Sequence, residues 1–481
     1  MHLNATRNPL LTGRRSRWFA ALVFCTFAIP LGVRLSGFVV RATYPQSILY
    51  NEGWNAYYAH DAAAGRPLYG ARPLRTAVNY PPLSFHLMGA LGRVLGDLNF
   101  AGRVLSLAAL FWVALCAGFV ARRISGDLLA GAFAALFWIA WICYFAPAYV
   151  GMNDPQMLGH ALMMTAVALY VAANGESPCL LAAACVFCCL GGFTKHNLAA
   201  FPLAMTLDLL VRSRRKFALW AATAGVTVAL FAALTVWVDG PYAIQHMLSP
   251  RGYLFSRATF LSGIFLRVFF PVLALSAVWC LSRIRWPMAR LLGLALAISL
   301  AAGAGFAGGS GVFVNVFFDS ILAMAMIAAL VLADVWRRTG TGTLPWCAAT
   351  VMLPLLFSVG PVLAGFFSSA PPREILAESG RVDREDVAYL KRRPGLAICF
   401  DLLLCYDAGK PLSYEPFIMG ELMATGHLDP RQVAAELSGL KYAVIQADHS
   451  EAFFPPEIMA ALRVHYRVDR RSTLWAFYVP R

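Results

Sequence analysis

Two acids in this chain stand where proton chemistry is plausible: Glu52, in Asn51-Glu52-Gly53-Trp54, and Asp154, in Met152-Asn153-Asp154-Pro155. Each follows an asparagine and lies beside an apolar block. A carboxylate within reach of an attacking hydroxyl or amine serves as its general base. The plain alternative is capping: Asn51 capping a helix whose dipole Glu52 complements, and Asp154 capping a helix opened by Pro155. The coincidence of two such acids at the ends of different apolar blocks weakens that alternative, because acids at bilayer depth are costly and by default functional. Cations suited to a leaving phosphate follow: Lys195-His196 before Asn197, then Arg251 and Arg257 with His246 nearby. Arginine meets phosphate oxygens bidentately, whereas Lys195 has the alternative of snorkelling to a membrane interface. Asn315 and Asp319, one helical turn apart, complete the set with Asn153 and Tyr80.

The elements that must carry these residues are membrane spans. Of 481 residues 59% are hydrophobic and 14% charged, far from soluble usage. The apolar residues fall into blocks long enough to cross about 30 Å of hydrocarbon. About eleven spans are expected, near 18–40, 100–121, 127–146, 157–173, 179–194, 197–211, 217–238, 261–282, 288–306, 312–335 and 345–367. The first, after Arg7, Arg14, Arg15 and Arg17, has no small-residue cleavage site and reads as an uncleaved helix. The net charge of +15 is scattered in clusters between blocks, which orients a membrane protein and excludes a nucleic-acid footprint. With a cytoplasmic N-terminus, Arg122-Arg123, Arg212 to Lys216, Arg283 to Arg290 and Arg337-Arg338 all fall inside. Connections 41–99, 147–156, 239–260 and 307–311 then lie outside, with the tail.

The first external connection holds two short helices, Asn51–Gly65 and one opened by Pro81-Pro82 and running to about Gly96. Their amphipathic character sets them along the interface, with Trp54, Tyr57, Tyr58, Tyr69 and Tyr80 at headgroup depth. The chain divides into a transmembrane part, 1–368, and a soluble α/β domain, 369–481. In the latter Arg384–Arg393 reads as helix, Gly395–Phe400, Tyr442–Gln446 and Leu474–Val479 as strands, and Asp429-Pro430 as a helix start. Among eleven cysteines, Cys185, Cys188 and Cys189 have no His or acid beside them and read as packing. Cys399 and Cys405 can pair only if the tail is periplasmic, and the sequence does not require it. The run Gly303–Gly311 is a tight turn, with no strand or Lys-Ser/Thr to make it a phosphate loop.

At this point the chain resembles the GT-C superfamily of membrane glycosyltransferases, which includes protein O-mannosyltransferases, the lipid A aminoarabinose transferase and rhizobial lipid A galacturonosyltransferases. The likeness runs through AYYAHDAAAGRPLY, NYPPLSFHLMGAL, GMNDPQMLGHALMMTAVALYV, TKHNLAAFPLA, GSGVFVNVFFDSILAMAMIAAL and CYDAGKPLSYEPFIMGELMATGHLDP. It covers nearly the whole chain and is most specific in the first-loop section. The resemblance implies an inverting transfer of a sugar from a polyprenyl phosphate to a periplasmic envelope acceptor, be it lipid A, glycan or protein. It places the enzyme in the bacterial inner membrane. It maps acceptor activation onto Glu52 and the second-loop acid onto Asp154.

The chain departs from the family in having Asn51 before a lone Glu52, which leaves open which carboxylate is the base. It also has Tyr80 where the aminoarabinose transferase has a phosphate-binding lysine, so the anchor falls to Lys195, Arg251 or Arg257, with His196 adjacent. Two lone acids make a poor hard-cation site, so neither metal nor other cofactor is expected. The rival readings are a transporter or flippase, and a non-catalytic binder of lipid-linked sugars. A transporter would favour internal repeats and midplane broken helices; none is visible.

Overall fold

A computed structural model describes residues 29, 31–71, 75–173, 176–339, 373–449 and 454–481. The expected span at 345–367 and most of the first span's N-terminal half lie outside them.

The helical part begins with α1, through residues 31–42, followed by α2 (Asn51–Ala63), α3 (Leu83–Leu95), α4 (Leu98–Ser125), α5 (Leu128–Phe145) and α6 (Pro155–Ala173). After these come α7 (Pro178–Gly192), α8 (Ala200–Arg212), α9 (Arg214–Asp239), α10 (Ala243–Met247), α11 (Phe255–Ser282), α12 (Pro287–Phe306) and α13 (Phe318–Thr339). Among the described residues seven helical segments are long and apolar enough to cross a membrane, and the chain is membrane-embedded. The α13 segment is the centre of the bundle, with 89% of its apolar window buried, while α9 at 11% is the rim. Lipid accounts for the difference: an apolar face without a protein partner is stable only against hydrocarbon.

Local chemistry sets the tight connections. Gly96 and Gly126 take left-handed conformations (φ 78° and 71°) after α3 and α4. Asp97 and Asp127 then cap the next helices, accepting from the backbone N–H of Phe100 and Leu129, as short polar side chains do at N-caps. Ser213 ends α8 and caps α9 in one residue. Buried pairs fasten one end of the bundle: Asp208 meets Arg212 and Arg290 at 3.0 and 3.2 Å and accepts from Tyr170 at 2.7 Å. Asp334 meets Arg283 at 2.8 Å. That end carries the basic clusters, and the signature residues lie at the other.

The expected spans at 179–194 and 197–211 form shorter helices. With 15 and 13 residues, α7 and α8 rise only about 20–22 Å, less than the roughly 30 Å of hydrocarbon. Their junction carries Lys195, which reaches Asp154 at the start of α6.

The C-terminal domain comprises α14 (Arg373–Lys391), β1 (Leu396–Cys399), α15 (Leu402–Asp407), α16 (Pro416–Ala424), α17 (Pro430–Ser438), β2 (Tyr442–Asp448), α18 (Pro456–His465), β3 (Tyr466–Arg471) and β4 (Trp475–Pro480). The sheet order is β1-β2-β4-β3; β1 and β2 are parallel and the other pairs antiparallel. Asp429 caps α17 as its sequence demands. Cys399 and Cys405 form a disulfide around the β1–α15 turn.

This domain corrects one expectation. Helix α2 is not a one-sided interfacial helix: every residue from Glu52 to Ala59 is buried, with Trp54, Tyr57, Tyr58 and Tyr69 inside a core that Leu402 joins. The domain covers the face that would otherwise have met headgroups. Gly53 lets it approach, since a Cβ there would lie 2.3 Å from the Leu403 nitrogen. Ser47 donates to Asp401 at 2.6 Å, Tyr57 to the Lys410 carbonyl at 2.7 Å, and Glu421 accepts from the Gly252 N–H and the Ser310 hydroxyl at 2.7 and 2.5 Å.

Candidate active site

Both acids arrive at the same place, in two linked shells. Glu52 is wholly buried and both its oxygens are engaged. Arg103 of α4 donates Nε–H to Oε1 at 2.9 Å and Nη2–H to Oε2 at 2.6 Å. The backbone N–H groups of Asn153 and Ile48 add bonds of 2.8 and 2.7 Å. Arg103, itself 2% exposed, also donates to the carbonyls of Tyr44 and Gln46. The Glu52–Arg103 pair thus ties four segments together: the loop before α2, α2 itself, α4 and the turn bearing Asp154.

Asp154 faces the other way. Its Oδ2 accepts from Asn51 Nδ2 at 2.8 Å, and its Oδ1 from the Gln156 N–H at 2.8 Å and Lys195 Nζ at 3.2 Å. Lys195 is buried, so snorkelling is excluded. Its ammonium lies 3.2 Å from the Tyr80 hydroxyl and 4.3 Å from that ring's centre. The Asn153 side chain donates to Asn99 at 3.0 Å, and its carbonyl accepts from Asn55 at 2.8 Å. Close packing leaves Gly102 no room for a Cβ, which would lie 2.1 Å from Asn153 Oδ1. Asn51 Oδ1 is buried without a partner, an acceptor beside the Asp154 carboxylate.

The remaining expected site residues divide. Asn315 and Asp319 reach the cluster through α6: Asn315 donates to Gln156 Oε1 at 2.7 Å, and Asp319 lies 3.2 Å from His160 Nε2. Arg251 is exposed, with its guanidinium 5.4 Å from the Phe417 ring centre, and lines a cavity with Tyr80. Arg257 is tied to the Val312 carbonyl at 2.6 Å, which staples the turn after α12. His196 is exposed beside Lys195, and among the described residues no hydrogen bond or ion pair to either acid brings it into the site. Arg103, Gln156 and His160 were missed by sequence reasoning. Arg103 carried a readable signal: a guanidinium entering an apolar span must find a buried partner. No group of three His, Cys, Asp or Glu side chains is arranged to hold a metal among the described residues.

This arrangement, a helical bundle with polar loops roofed by a small α/β domain, has solved counterparts. Among solved structures it is similar to ArnT from Cupriavidus metallidurans bound to undecaprenyl phosphate: 14% identity, 95% of this chain and 97% of that one covered, TM-score 0.59. It is also similar to the Archaeoglobus fulgidus oligosaccharyltransferase in the apo form, at 10% identity, 91% and 73% coverage and TM-score 0.54. The archaeal oligosaccharyltransferase AglB from Archaeoglobus fulgidus, in complex with an inhibitory peptide and a dolichol-phosphate, matches at 10% identity, 95% and 75% coverage and TM-score 0.55. No protein-family model and no curated protein matches the sequence.

Proposed function

We propose that the protein is an inverting glycosyltransferase that moves a sugar from a polyprenyl phosphate to an acceptor of the bacterial envelope. The observation that carries this reading is the buried Asp154, held by Lys195, Asn51 and the Gln156 N–H at the end of the bundle remote from the basic clusters. The similarity to structures holding undecaprenyl phosphate and dolichol-phosphate supports the donor class. Asp154 accepts the acceptor's proton as its oxygen bonds to the anomeric carbon. The bond from that carbon to the phosphate oxygen breaks, and polyprenyl phosphate departs with the bonding electrons. Lys195, with Arg251 nearby, steadies the charge on that phosphate, the kind of electrostatic term that dominates such transfers. Glu52 is a positioning residue, because its lone pairs are committed to Arg103 and two backbone N–H groups. An ammonium already neutralises Asp154, so the reaction proceeds without a divalent metal, and a chelator leaves the transfer rate unchanged.

The test uses envelope lipids and glycans from a deletion strain, weighed by mass spectrometry for one missing sugar-sized increment and complemented with variants. Asp154→Asn leaves the Lys195 ammonium buried without its counter-charge and so lowers the unfolding midpoint; protein of this variant shown to be folded is expected to lose about 10²–10⁴-fold in transfer. A fully active Asp154→Asn protein would end the assignment.

A further inference from the structure

At the end of the bundle remote from the acid pair, one corner holds more cations than its acids neutralise. Arg212, Arg214, Arg215 and Lys216 close α8 and open α9, and Arg290 stands in the first turn of α12. The acid among them is Asp208, which Arg212 and Arg290 share. Other acids at this end are committed or apart. Asp127 caps α5, Asp334 holds Arg283, and Glu176 ahead of α7 forms no ion pair among the described residues. Two guanidiniums and the Tyr170 hydroxyl thus compete for the two oxygens of one carboxylate. Donors are left over: Arg212 Nη2 and Arg290 Nε are buried with no hydrogen-bond acceptor, a costly condition. Both side chains remain partly open, 25% and 28% exposed.

Two further observations point outward from this corner. Arg214, Arg215 and Lys216 fill the first turn of α9 after its Ser213 cap, where the positive end of the helix dipole disfavours cations. Nothing local rewards them, since none has an ion pair among the described residues. Beside them Leu203, Leu207, Leu210 and Val211 are exposed and recur at helical spacing along one face of α8, which runs to Arg212. In a membrane-embedded chain such a face meets lipid.

We infer that this corner seats an anionic phospholipid, its phosphate on Arg212, Arg290 and the first turn of α9, and its acyl chains along the exposed face of α8. Phosphate oxygens match the planar fork of a guanidinium and supply the acceptors that Asp208 lacks. Basic pockets between spans take anionic headgroups in this way. A zwitterionic headgroup would bring a cation of its own among five others, and a soluble anion would leave the apolar face unused. The site is independent of the reaction at Asp154.

The test adds lipids to full-length, delipidated protein in detergent and measures bound copies by native mass spectrometry. Phosphatidylglycerol and cardiolipin should bind about ten-fold more tightly than phosphatidylcholine. Replacing Arg214, Arg215 and Lys216 together with glutamine should remove most of that preference and leave the lipid-free unfolding midpoint unchanged or higher, because those cations oppose the dipole. Arg212→Lys, which keeps the charge without the fork, should remove part of it. Arg122→Gln combined with Arg123→Gln, at the same end of the bundle but on α4, should retain it. Equal losses in the α4 and α9 variants would reduce the effect to general surface charge and overturn the inference. So would a native protein that binds all three lipids alike. Inorganic phosphate that raises the unfolding midpoint as far as phosphatidylglycerol does would make the occupant a free anion, and the inference would fall.

Discussion

Exchanging Glu52 for glutamine would leave the Arg103 guanidinium buried without its counter-charge. Breaking one side of a buried pair costs about 3–5 kcal/mol, whereas replacing both partners with apolar groups is often close to neutral. Glu52→Gln should therefore lower the thermal unfolding midpoint sharply, and Glu52→Leu combined with Arg103→Met should recover much of it. A Glu52→Gln protein as stable as the native one would refute the positioning role. The convergence of Glu52 and Asp154 was legible in the sequence, because both follow an asparagine at the end of an apolar block. The division of labour between them was not. It depends on Arg103, 51 positions beyond Glu52, whose reach is a product of how α4 packs on α2.

Helix α2 is where element-scale reasoning went astray. Its alternation of alanine and aromatic residues suits a membrane interface, but the same residues suit a core once a second domain closes over them. Gly53 is a point of close approach, with a virtual Cβ only 2.5 Å from the Leu402 carbonyl carbon. Gly53→Ala should force α15 away at a cost of about 1–3 kcal/mol. Limited proteolysis should then cut the tail faster while the helical bundle stays intact, and an unchanged digestion pattern would show that the seat is not tight. The presence of α4, α5, α6, α9, α11 and α12 was readable from apolar run length, but not their ends: α11 starts at Phe255, ahead of the expected 261, and α4 runs on to Ser125, past the expected 121. The shortness of α7 and α8 was not, since Lys195-His196-Asn197 interrupts a run that hydropathy alone would continue.

Over the whole molecule, the roof carries several carboxyls held above their ordinary range. Burial raises Asp383 from 3.8, Asp407 from 3.8 and Glu415 from 4.5, each to about 7. In the window between those values the folded chain holds protons that the unfolded chain has released. Stability must then fall as pH climbs from about 4 to about 7, and level off above. Unfolding midpoints measured across that range should decline, with a shallower slope for Glu415→Gln; midpoints that rise would contradict these proton positions. The α/β character of the tail was visible in its charge frequency and its Asp-Pro helix start, while its docking was not, because the contacts join residues hundreds of positions apart. The sulfur link between Cys399 and Cys405 encloses Asp401, which holds Ser47, and the turn that rests on Gly53. Such links last only where cellular thiols do not reach them. On the expected placement of the tail outside the cytoplasm, delivery across the bilayer is therefore what lets this link close and stiffen the turn that meets Ser47 and Gly53.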